Sequence, residues 1–420
     1  MRNGTSPQEA TSESEKAKGR FDSIKSLLRN RSFLVFFVGD IVVRLAFEII
    51  DYPLIIYLLG LGFDITAIGQ LTSAGLIAAL ISQMPVGILS HRIGRKSSIM
   101  FGLCLYAVFP IFYPLSNTYL AFLAIAVLSG IAYAFLIPAS FAFVGEIVPA
   151  QSRATATTLA YFVSGIMTLV PFVGLALYLA NKALPFVTCS LLTIVTICIF
   201  GRYIKSSKEH ETTTHEQSLR IGARNLAKTF KRSFIGVSIA NLAYSFGSGF
   251  LFLLGFIYIL NILGGSLLLI GSVLIIIEIV SLVLSLFIAQ LMDKTKKRKA
   301  FLILSLLAYG VAALAFTLVS NAFEAILVLT FLMVMGIVVG SSASTLAMET
   351  SEKTTLGAAM SVYTFFGIAG VIISLQLAGY LQEMYSSFQK PFLLVSLSCV
   401  WAVIIAWLTI EEKPFSATKP

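Results

Sequence analysis

Four ionisable residues stand in one otherwise apolar stretch, Gly39-Asp40-Ile-Val-Val-Arg44-Leu-Ala-Phe-Glu48-Ile-Ile-Asp51-Tyr52-Pro53. Read as a helix, at about 100° per residue, Asp40, Arg44, Glu48 and Asp51 share roughly 80° of arc along about 16 Å of axis. Four-residue spacing lets Arg44 pair with Asp40 and Glu48. Asp51 is left as the acid with no obvious partner in the helix. Arg44 could anchor an anionic group or tune its neighbours. Glu48 and Asp51 could carry protons, neutral when desolvated and ionised when water enters. The alternative is a satisfied ion-pair ladder between packed helices. Buried charge is a poor route to stability, and ionisable groups inside membranes default to function, so the functional reading is preferred.

The elements that hold this stripe are set by composition. The chain has 420 residues, of which 57% are hydrophobic and only 12% charged, with a mean hydropathy of +0.91. A soluble chain carries about 25% charge, so the solvent here is lipid. Apolar runs predict spans at 33–59, 65–89, 98–116, 118–144, 154–180, 183–204, 234–262, 266–291, 300–319, 323–347, 356–381 and 391–410. Of the 30 Lys and Arg residues, 27 fall on one side of these twelve spans and only Lys182 and Lys390 on the other. That asymmetry sets both termini in the cytoplasm of a plasma-membrane protein. The expected fold is all-α and integral to the membrane. Its twelve transmembrane helices would form two pseudo-symmetric six-helix bundles around a central cavity.

The expected domains are a polar tail (1–32), a first bundle (33–204), a basic linker (205–233), a second bundle (234–410) and a short tail (411–420). Arg220, Arg224, Lys228 and Lys231 recur at helical spacing in the linker. The segment 218–234 therefore reads either as an amphipathic helix on the anionic inner leaflet or as a plain solvated linker. The net charge of +10 follows from positive-inside retention, and no nucleic-acid partner is expected. The chain is expected to act as a monomer.

Two loops repeat. Gly87-Ile-Leu89-Ser-His91-Arg92-Ile-Gly94-Arg95-Lys96 matches Ala289-Gln-Leu291-Met-Asp293-Lys294-Thr-Lys-Lys297-Arg298 at an offset of 202. Glu146 through Arg153 to Ala156 matches Glu349 to Ala359 at an offset of 203. Parallel repeats of this kind put a substrate between the halves, near the midplane. Gly87 and Gly94 would permit a tight turn, and Arg92, Arg95 and Lys96 would bridge helix ends as a cytoplasmic gate. Glu146 with Arg153 would supply a second bridge.

Together with Pro53 to Gly60, Gly69 and Pro85-Val-Gly87, the basic loop resembles the signature of the major facilitator superfamily, Gly-x-Leu-x-Asp-Arg-x-Gly-Arg-Arg/Lys between spans two and three. The resemblance runs from about residue 33 to 410 and implies a secondary transporter working by alternating access. In the family the loop's acid latches one state. His91 replaces it here, implying a weaker or pH-dependent latch, while Asp293 holds the equivalent place in the second half. Gly165, Pro171 and Gly174 loosely resemble the antiporter motif of span five. The sugar-porter run after span six is missing. The fourth-span Arg that many proton-coupled drug exporters carry is missing too, its place falling near Ala126; on balance export of a drug or metabolite is preferred to sugar uptake.

Elsewhere, Glu278 is the only acid in the interior of the second half, where it either faces the pathway or snorkels. Span seven carries Asn241, Tyr244, Ser245 and Ser248 where span one carries charges, so the second half should supply neutral hydrogen bonds. Cys104, Cys189, Cys198 and Cys399 read as small buried hydrophobes. His91, His210 and His215 all fall on expected loops, so no intramembrane histidine metal site is expected. No nucleotide-binding or nucleophile-elbow motif occurs. The reading is a transporter with neither cofactor nor metal, moving a small molecule with protons. An uncoupled facilitator, or a non-transporting sensor or scaffold, is the alternative.

Overall fold

The computed structural model describes residues 29, 31–147, 167, 169–203, 232–262, 264, 266–295, 297–350 and 356–411. Arg153 and most of the basic segment 218–234 lie outside the described residues. So do the side chains of His91, Arg92, Arg95, Glu146 and Asp293.

In lipid every backbone N–H and C=O must be satisfied within the chain, so apolar runs become helices. The first span is α1 (Arg31–Glu48) followed by α2 (Asp51–Gly60). Spans two to six are α3 (Ile65–Ile93), α4 (Arg95–Phe112), α5 (Tyr119–Ile147), α6 (Val170–Ala180) and α7 (Leu184–Tyr203). Span seven is α8 (Arg232–Phe250), a π-helical turn (Leu251–Gly255) and α9 (Phe256–Ile262). The rest are α10 (Leu267–Thr295), α11 (Arg298–Phe316), α12 (Ala322–Thr350), α13 (Leu356–Tyr385) and α14 (Phe392–Thr409). The fold is the all-α membrane architecture expected. Among the described residues, eight helices are long and apolar enough to cross a bilayer by length and composition. Their outward positions hold large hydrophobics such as Leu120, Val311, Phe323 and Trp407, a surface suited to acyl chains and not to water.

Two compact units divide the chain, one drawing on 1–54 and 78–209, the other on 55–77 and 210–420. In the first, α1 packs on α7, and α4 packs on both α5 and α7. Phe36 anchors this core, its ring 5.2 Å from Phe143 and 5.6 Å from Phe200. In the second, α8 packs on α14, and α11 packs on both α12 and α14. Spans one, three, four and six thus pair as spans seven, nine, ten and twelve do, the structural expression of the loop repeat.

The second unit also contains Ile55–Ile77. Gln376 Nε2 donates to Ser73 Oγ at 2.6 Å. A Cβ at Gly69 would collide with the Leu375 carbonyl oxygen, and one at Gly379 with Thr66. The start of α3 and the middle of α13 therefore meet at backbone contact.

Candidate functional site

Span one is not one helix. Pro53 has no N–H to donate to the Ile49 carbonyl, and the chain turns at Ile49–Ile50 before α2 begins. Ile49 N still bonds Leu45 O at 3.2 Å, and Leu54 N bonds Ile50 O at 2.9 Å. The freed Ile49 carbonyl abuts Gly174 of α6, where any Cβ would strike it. The break has a consequence for the chemistry. Glu48 closes α1, while Asp51 sits in the first turn of α2.

Arg44 Nε donates to Asp40 Oδ2 at 2.8 Å, both side chains partly exposed. Arg44 also interacts electrostatically with Glu48, and Glu48 with Asp51. The four charges thus remain a chain of neighbours across the break, three acids against one arginine. Neutral polar groups surround them. Tyr133 interacts electrostatically with Arg44 and Glu48. Tyr106 of α4 and Cys189 of α7 are hydrogen-bonded to one another and interact with Asp51. The Phe47 ring stands edge-on to Tyr106 at 4.1 Å. Sequence reading treated Cys189 as a plain buried hydrophobe. It is fully buried, but its thiol belongs to this polar group.

In the second unit, Asn241 Nδ2 donates to the Tyr363 carbonyl at 2.9 Å, tying α8 to α13. Gly367 leaves room for it, since a Cβ there would lie 2.8 Å from Nδ2. Tyr244 interacts with Glu278 and meets the Tyr309 ring edge-on at 5.8 Å. Gly336 and Gly340 of α12 seat the Tyr244 ring, their Cβ positions 2.9 and 3.6 Å from its edge. Tyr244 and Glu278 come together, whereas Asn241 is engaged in a structural bond. The π turn at 251–255 is the repeat counterpart of the Ile49–Ile50 break, 203 residues on. π turns recur at functional sites.

The expected cytoplasmic turn is shorter than the sequence suggested. Helix α3 runs to Ile93, with Gly87 inside it, and Gly94 alone turns the chain, at φ 89°. Only glycine adopts that φ without strain. Lys96 Nζ then donates to the Gly201 carbonyl at 3.2 Å. Lys299, 203 residues later, donates to the Trp407 carbonyl at 3.0 Å and also to Ile410 O. Each lysine caps the C-terminal end of the last helix of its unit, where partial negative charge accumulates. Arg298 Nη1 pairs with Glu349 Oε1 at 2.6 Å. Both residues belong to the repeated loops, which gave no sign of the bond.

Comparison with known proteins agrees with this architecture. The family model described as Major Facilitator Superfamily matches residues 33–296 and 237–420. An uncharacterized MFS-type transporter of Methanocaldococcus jannaschii is 26% identical over 188 residues, 43% of this chain and 46% of that protein. The aligned region thus spans under half the length of that relative. A D-xylose-proton symporter superposes with a TM-score of 0.75 at 16% identity, covering 90% of this chain and 97% of the other. The nucleoside transporter NupG gives 0.70 at 16% identity, covering 90% and 99%. A POT family transporter in complex with 5-aminolevulinic acid gives 0.72 at 14% identity, covering 89% and 95%.

Proposed function

The chain belongs to the Major Facilitator Superfamily, and from that premise we propose that it is a proton-coupled secondary transporter of a small organic solute. The observation that carries the reading is the charged chain of span one. Arg44 and Asp40 are paired at 2.8 Å, and Glu48 and Asp51 adjoin them on either side of a helix break. Each charge near a bilayer centre costs about 2.5–3.5 kcal/mol on insertion scales. A pair satisfies itself. Two further acids beside one arginine need either protons or a passing cation, and protons are the simplest ligand. The fold shared with a D-xylose-proton symporter supports the same coupling.

On this reading Asp40 and Arg44 hold the electrostatic frame, while Glu48 and Asp51 take up and release protons. Tyr244 and Glu278 supply polar contacts from the second unit. Export is the direction favoured by the likeness of Gly165, Pro171 and Gly174 to the antiporter motif. The reading also sets the protein in the plasma membrane as a monomer, with both termini cytoplasmic and the 218–234 segment on anionic lipid. Flux into proteoliposomes under an imposed pH gradient tests it. Flux that follows the gradient supports coupling. Flux indifferent to the gradient would leave a facilitator, and no flux of any solute would leave the sensor or scaffold.

A further inference from the structure

Both units bury a tyrosine in similar surroundings. Tyr106 on α4 and Tyr309 on α11 are repeat equivalents, 203 residues apart, and both are buried, at 7% and 1% exposure. Each receives an aromatic ring edge-on from the first helix of its unit, Phe47 at 4.1 Å and Tyr244 at 5.8 Å. Each lies beside a fully buried cysteine on the last span of its unit, Cys189 or Cys399. The two copies differ in two respects. In the first unit the phenol is hydrogen-bonded to the Cys189 thiol and interacts electrostatically with Asp51. In the second the Tyr309 hydroxyl has no hydrogen-bond partner, and the repeat position of Asp51 is occupied by buried Leu254.

A buried hydroxyl keeps a partner unless something prevents it. The first unit thus has two features that the second lacks: a thiol bond and a carboxyl. We infer that Tyr106 and Cys189 are positioning residues for Asp51, and that the phenol–thiol pair fixes the polar surroundings in which that carboxyl exchanges its proton. This rests on the proposed proton coupling. The groups that interact electrostatically with Asp51 and its neighbours are Glu48 and Arg44 from span one, Tyr106 from α4, Tyr113 just past its end, Tyr133 from α5 and Cys189 from α7. Tyr113 is in turn hydrogen-bonded to Ser129 of α5, and Thr193 Oγ1 donates to the Cys189 carbonyl at 2.8 Å, holding the thiol's helix turn. From α6, Phe172 meets Tyr52 and brings no titratable group. Arginine is the only cation in this set.

The test is the pH profile of gradient-driven flux in proteoliposomes, with counterflow exchange as the check that each variant is folded. Tyr106→Phe and Cys189→Val should displace the midpoint of the profile by about half a pH unit or more, the size a neutral hydrogen bond carries. Cys189→Ser, which keeps a donor and acceptor, should return it to the parent position. Tyr309→Phe, the internal control, should leave it in place. Profiles for Tyr106→Phe and Cys189→Val that superimpose on the parent, with Asp51→Asn still abolishing coupled flux, would overturn this inference alone. Coupled flux that survives Asp51→Asn would overturn the proton-coupling reading beneath it.

Discussion

Arg44 donates to Asp40 across 2.8 Å, one helical turn apart, in a span whose interior has no other basic residue. The pair is half-shielded, so its net worth is smaller than that of a fully buried ion pair, which costs about 3–5 kcal/mol to break from one side. Arg44→Gln strands Asp40 and leaves Glu48 without its cation. Removing both charges, Arg44→Gln with Asp40→Asn, is expected to recover at least half of the stability lost in the single variant. A thermal-denaturation double-mutant cycle measures this directly. Additive losses would show that the two side chains do not act on one another.

The seam between Ile49 and Gly174 is a second point of strain. Gly174→Ala drives a Cβ into the Ile49 carbonyl, an overpacking expected to cost about 1–3 kcal/mol. Gly201→Ala, whose nearest neighbour is Met100 Cε at 3.7 Å, has room and serves as the contrast. Its helix gains up to about 1 kcal/mol from losing a glycine. Melting temperatures of the purified proteins should move in opposite directions.

Lys96 and Lys299 cap equivalent helix ends, Lys96 on the Gly201 carbonyl and Lys299 on the Trp407 and Ile410 carbonyls. Charge interactions at helix C-termini run to about 0.3–1 kcal/mol. Lys96→Met and Lys299→Met are each expected to lower thermal stability by about that amount. Unchanged melting temperatures would indicate that the capping geometry is not what these lysines contribute.

Ser73 and Gln376 are close enough for cross-linking. A Ser73→Cys, Gln376→Cys variant built on a chain without native cysteines should lose transport on oxidation and regain it with a thiol reductant. That outcome follows if α3 and α13 must part in each transport cycle. Undiminished flux in the oxidised, cross-linked protein would show that this seam stays closed throughout.

Much of the fold was legible because lipid imposes one rule on every residue of a span. Apolar length gave the helices. The stripe from Asp40 to Asp51 was legible for the same reason, since charge inside such a span stands out. The break at Ile49–Ile50 was signalled by Pro53 but hidden by a helical wheel drawn straight through it. Gly94 was correctly expected to turn, whereas Gly87 was drawn into the same loop because α3 outlasts its apolar stretch by a full turn. The π turn at 251–255 has no proline to announce it. The bond between Tyr106 and Cys189 joins residues 83 positions apart, and no local pattern carries such a contact. Only the repeat offset, applied to Tyr106 and Tyr309, could have drawn attention to it.

The most direct test of the account compares two activities of the same variants in proteoliposomes. Glu48→Gln and Asp51→Asn are expected to abolish solute accumulation driven by a pH gradient while solute counterflow persists, because exchange of solute for solute moves no net proton. Loss of both activities together, in protein shown to be folded, would assign these carboxylates to solute binding. Gradient-driven accumulation that survives both substitutions would contradict the claim that the acids of span one carry the proton.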